Sequence, residues 1–120
     1  MIKQDYIMRM VDDLIRLLAK LFFNKDTISY ELPSEENYTQ TDYLYKQLLN
    51  LIGKGKINEA ENLLFQNIDS NDKRYMELAL DFYAKLNNLD DELLEKSNFP
   101  REEIEQGVKE IAKVFGLSLF

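Results

Sequence analysis

The chain has 120 residues, 45% apolar and 31% charged, a balance that suits one globular domain with a single core rather than a disordered segment. It contains no cysteine and no histidine, which excludes disulfides, zinc sites with nitrogen or sulfur ligands, and Cys-His or Ser-His nucleophilic pairs. A net charge of −7 argues against a nucleic-acid partner, since phosphate backbones are bound by clustered Lys and Arg.

Residues 1–24 predict one long helix. Plotted at about 100° per residue, Tyr6, Ile7, Met8, Met10, Val11, Leu14, Ile15, Leu17, Leu18, Leu21 and Phe22 fill a sector of roughly 200°, well beyond the stripe of an ordinary surface helix. The opposite sector carries Asp5, Asp12, Asp13, Arg9, Arg16 and Lys20, which sum to zero charge. The pairs Asp5/Arg9, Arg9/Asp13 and Asp12/Arg16 lie four residues apart and can bond. Interleaved charge of both signs does not suit a helix lying on anionic lipid, and it interrupts both a spanning segment and a secretory signal. The helix therefore needs neighbours on two sides, and a second copy of the chain is the expected one. Tyr6, Ile7, Met10, Leu14, Leu17, Leu18, Leu21 and Phe22 are the candidate interface residues, with Leu14→Asp or Leu18→Asp expected to give monomers or insoluble chain.

Residues 25–38 form a linker containing Pro33, Ser34, Glu35 and Glu36. Its alternating Ile28, Tyr30 and Leu32 leave two courses open, extended along the core or free of it. A second helix starts near Thr39 to Thr41, buries Leu44, Leu48, Leu51 and Ile52, and stops at Gly53 and Gly55. A third, 57–68, carries Ile57, Ala60, Leu63, Leu64 and Ile68 on one face, so the short turn makes a helical hairpin. A fourth runs over 72–86 behind the cap residues Ser70 and Asn71, with Tyr75, Leu78, Ala79, Phe82 and Leu86 inward. Residues 90–96 predict a short fifth helix that turns Leu93 and Leu94 inward. The last begins at Pro100, buries Ile104, Val108, Ile111 and Phe115, and ends at Gly116. The apolar tail from Leu117 to Phe120 is expected to pack on the chain's own core.

The stretch from Leu44 to Leu64 is similar to a tetratricopeptide hairpin, with Leu44, Leu48, Leu51, Ala60 and Leu64 at its packing positions. The opening Met1-Ile2-Lys3-Gln4-Asp5-Tyr6-Ile7-Met8-Arg9-Met10 and the later Phe99-Pro100-Arg101-Glu102-Glu103-Ile104-Glu105 resemble a family of short uncharacterised bacterial proteins, a domain of unknown function found mainly in Gram-positive anaerobes. That resemblance implies an all-helical fold over nearly the whole chain and a native start at Met1. It implies no activity.

Few residues suggest chemistry. Asp69-Ser70-Asn71-Asp72-Lys73 opens like a calcium loop, but Arg74 stands where the turn glycine belongs and Leu80 where the closing Glu belongs. Gly53-Lys54-Gly55-Lys56 lacks the spacing and preceding strand of a phosphate loop. The runs Asp90-Asp91-Glu92, Glu35-Glu36 and Glu102-Glu103 read as solvated, dipole-stabilised helix starts. Tyr30, Tyr38, Tyr43 and Tyr45 cluster in sequence, and Tyr43 and Tyr45 cannot share one helix face, so one of these two candidates meets solvent or a partner.

These readings converge on an all-α protein of five to six helices, a long N-terminal amphipathic helix followed by tetratricopeptide-like hairpins, in one domain. The expected function is non-catalytic protein-protein interaction in the cytoplasm, as a homodimer joined through the first helix. No catalytic residue, metal, cofactor, nucleic acid or membrane is expected. The alternatives are a small regulatory or toxin-neutralising partner protein and, third, an enzyme built on shifted carboxylates.

Overall fold

The computed structural model describes residues 2–118, with side-chain surroundings from Gln4 onward. Among the described residues the fold is all-helical: α1 (Ile2–Phe23), α2 (Gln40–Gly53), α3 (Ile57–Asn67), α4 (Lys73–Asn87), α5 (Asp91–Lys96) and α6 (Arg101–Val114), with a 3₁₀ turn at Glu35–Asn37. The expected tail residues Leu119 and Phe120 lie outside the described residues, while Leu117 packs half-buried on the core.

Helix boundaries follow local chemistry. Thr39 donates from its backbone N–H and its hydroxyl to Asp42 Oδ2 (2.8 and 2.9 Å), closing the first turn of α2. Asp72 and Asp90 cap α4 and α5 by accepting from Arg74 N–H and Leu93 N–H. The cap of α4 is thus Asp72 rather than Ser70 or Asn71, because its carboxylate stands two residues before an unpaired amide. Helices α2, α5 and α6 stop alike. Gly55, Asn98 and Gly116 take left-handed φ of 74°, 56° and 98°. The next N–H then reaches back into the last turn, from Lys56 to Leu51, Phe99 to Leu94 and Leu117 to Ala112.

Close packing joins α1 with α6 and α4, α2 with α3 and α4, and α4 with α6. Helix α4 is therefore the shared neighbour, and it is buried far beyond the five-residue stripe predicted for it. Met76, Leu80, Asp81, Tyr83 and Asn87 are buried together with Tyr75, Leu78, Ala79, Phe82 and Leu86. That wide apolar sector packs against α1, α2 and α6, while Arg74 and Lys85 keep the remaining side open to solvent. In α5 only Leu94 turns inward; Leu93 is exposed, since six residues offer one buried position. The linker takes the docked course, with Tyr30 buried and Ile28 half-buried, while Leu32 remains exposed.

One buried cation ties the C-terminal half together. Arg101, 4% exposed, donates from Nη1 to Asn87 O (2.7 Å), from Nη2 to Leu89 O (2.7 Å) and from Nε to Asp91 Oδ1 (2.9 Å). Asn87 in turn donates from Nδ2 to Met8 O (2.9 Å). The guanidinium thus satisfies the carbonyls at the end of α4, anchors the start of α5 and fixes the first turn of α6, while Asn87 carries the link on to α1. Replacing Arg101 by Met leaves these carbonyls unpaired in the interior and is expected to cost about 3 kcal/mol in urea unfolding, against which Arg101→Lys restores little because a point charge cannot serve three directions.

Candidate functional site

Helix α1 divides its wide apolar face in two. Ile7, Val11, Ile15 and Leu18, with Ala19, are buried against the chain's own helices. Tyr6, Leu17 and Leu21 remain 62%, 45% and 59% exposed. They lie at i, i+11 and i+15, and half-buried Met10 and Leu14 fill i+4 and i+8, so the five make one continuous stripe. The stripe runs along a helix of 22 residues, roughly 33 Å at 1.5 Å per residue. Its polar border holds an ion pair, Arg16 Nε to Asp12 Oδ2 at 3.0 Å.

This arrangement corrects part of the expected interface. Ile7 and Leu18 belong to the intramolecular core, because α4 and α6 already cover their sector, and Phe22 is half-buried there as well. Leu18→Asp would therefore break the fold rather than report on association. Tyr45 is likewise buried, whereas Tyr43 is 56% exposed and meets Tyr38 edge-on at 5.2 Å. The two-residue spacing that separates their faces was legible in the sequence; which of them turns inward was not.

Beneath the surface two tyrosine-carboxylate clamps hold the linker and α2 to α4. Tyr30 stacks on Tyr45 with ring centroids 4.7 Å apart and donates its hydroxyl to Asp42 Oδ1 (2.6 Å). Arg74 Nη2 reaches the same carboxylate oxygen at 2.8 Å, and its guanidinium lies 4.8 Å from the centre of the Tyr30 ring. Tyr45 donates its hydroxyl to Asp81, which also pairs with Lys85 at 3.3 Å. Sequence reasoning missed Asp42, Arg74, Asp81 and Arg101, although the Thr39-x-x-Asp42 spacing is a helix-start signal close to the capping box. No buried side-chain nitrogen or oxygen among the described residues lacks a partner.

The clamps shift their own acidities. Burial pushes the Asp42 carboxyl up, but bonds from the Thr39 backbone, the Tyr30 hydroxyl and the Thr39 hydroxyl, with the charge of Arg74, outweigh it and hold the group below its ordinary range. Burial and the bond to Asp42 push the Tyr30 phenol up to about 12. Burial and Asp81 raise the Tyr45 phenol as well.

Clefts among the described residues open beside α6. One of about 420 Å³ lies where Gln4 meets α5 and the start of α6; the Arg101 donors that reach it are committed to Asn87, Leu89 and Asp91. The other, about 320 Å³, separates α3 from α6. Among the described residues no group of three acidic side chains is arranged to hold a metal ion, and no helix is long and apolar enough to cross a membrane.

The raised phenols give a pH dependence with a definite sign. In the unfolded chain these groups ionise near 10, so below that pH both states keep the proton and the clamps contribute fully. Above it the unfolded chain loses protons that the folded chain retains, and each clamped phenol removes about 1.4 kcal/mol of stability per pH unit until its folded value is passed, about 12 for Tyr30. Urea unfolding at pH 8, 10 and 11.5 is expected to show this fall, with a shallower slope in Tyr30→Phe.

No curated protein matches the chain, and no solved structure does. A family model matches residues 1–116, almost the whole of the helical fold described above. The chain belongs to that family, the family of unknown function DUF6483.

Proposed function

We propose that the protein acts by protein-protein contact, without catalysis, and that it associates with a second copy of itself through the outer stripe of α1. The exposed row of Tyr6, Leu17 and Leu21, continued by Met10 and Leu14, carries this reading. A long apolar row on a helix already half covered by its own chain is the kind of surface that soluble proteins reserve for partners. The flanking charges favour a copy of the same surface. Three acids and three bases on one polar sector cancel, so two such helices meet without net repulsion. In an antiparallel pairing Tyr6 faces Leu21 and Met10 faces Leu17, which closes the row on itself as a two-fold interface requires.

The same reading takes the α2–α3 hairpin as a tetratricopeptide-like support rather than as a peptide groove, since such grooves need at least three repeats. It places the protein in the cytoplasm, as a cysteine-free chain allows.

Light scattering over a tenfold range of concentration is expected to give a mass near twice 14.2 kDa. Leu17→Glu combined with Leu21→Glu alters exposed positions only, so it should give a single-chain mass with unchanged helicity. A wild-type monomer at every concentration would refute self-association and move attention to exposed Tyr43, with half-buried Tyr38 beside it, as a contact for a different partner.

A further inference from the structure

Oxidation has few places to settle on this chain. With no cysteine and no tryptophan, tyrosine is the side chain that yields an electron to a one-electron oxidant, while methionine takes an oxygen atom from a peroxide. A phenol that gives up one electron and its hydroxyl proton becomes a phenoxyl radical, with the unpaired electron shared between the oxygen and the ring carbons beside it. Of the seven tyrosines, Tyr30, Tyr45, Tyr75 and Tyr83 are buried. Tyr6, Tyr38 and Tyr43 reach the surface.

Two of these three stand together. Tyr38, where the 3₁₀ turn ends, meets Tyr43 of the first turn of α2 with ring centroids 5.2 Å apart and planes at 79°. Such an edge-on contact holds the rim of one ring against its neighbour. Lys46 Nζ lies 5.6 Å from the centre of the Tyr38 ring and supports its position. The exposed Tyr43 ring is free to turn, which brings the carbons beside the two hydroxyls towards each other. Tyr30 and Tyr45 form a second close pair at 4.7 Å, but both rings are enclosed in a packed core, away from a bulky oxidant and without room to turn.

We propose that Tyr38 and Tyr43 are a site of oxidative modification, coupled to dityrosine by a peroxidase-type one-electron oxidant with hydrogen peroxide as the final acceptor. Each hydroxyl gives up one electron and one proton. The two radicals join ring carbon to ring carbon beside their oxygens, and the hydrogens on those carbons move to the oxygens and restore both phenols. Hydrogen peroxide takes up the two electrons and two protons and leaves as two molecules of water. The new bond ties the end of the linker to α2, and it is independent of association through α1.

Dilute protein treated with a haem peroxidase and hydrogen peroxide is expected to gain dityrosine fluorescence and to keep a single-chain mass, less two hydrogens, under denaturing conditions. Proteolysis of the denatured product on the amino side of Asp42 separates Tyr38 from Tyr43, so their two peptides should stay joined only where coupling has occurred. Tyr38→Phe and Tyr43→Phe should each abolish the joined peptides, and Tyr6→Phe should leave their yield unchanged. Coupling only between chains, coupling of Tyr30 with Tyr45, or methionine sulfoxide as the sole product would each overturn the proposal.

Discussion

The fold depends on the enclosure of α4. A helix covered by α1, α2 and α6 can keep polar atoms inside only if each finds a partner, since an unpaired buried polar group costs on the order of 1–3 kcal/mol. Asp81 and Asn87 are buried polar residues of this helix, and each defines a contact with another part of the chain. Asp81 receives the Tyr45 hydroxyl from α2, and Asn87 links Arg101 of α6 to the backbone of α1. Apolar burial supplies most of the driving force, while these bonds select one arrangement of helices among the many that would bury the same area.

The same logic explains the linker. A segment of its length without a helix needs at least one anchor to run over the core, and Tyr30 supplies it by lying between the Tyr45 ring and the Arg74 guanidinium. Asp42 joins three elements at one carboxylate: the start of α2 through Thr39, the linker through Tyr30 and α4 through Arg74.

The surface left after these demands are met differs in chemistry from place to place. The α1 stripe is apolar with balanced borders. The α3–α6 cleft is lined by Glu61, Glu103 and Glu110 together with Phe65.

Helix positions, the hairpin turn and the surplus width of α1 were written in the sequence alone, because periodicity, caps and left-handed stops are local properties of neighbouring residues. Thr39, Gly55 and Gly116 each act within a few residues of themselves, although at α4 the cap expected at Ser70 or Asn71 falls on Asp72. The tertiary structure alone decided which half of the α1 face turns inward, that Tyr45 and not Tyr43 is buried, and that Tyr83 rests on Gly107. It also alone brought Arg101 to Asn87, Arg74 to Asp42 and Glu61 to the face of Glu103 and Glu110. Those pairings join residues from different helices, and a one-dimensional pattern holds the period of each helix but not the rotation and crossing that set one against another.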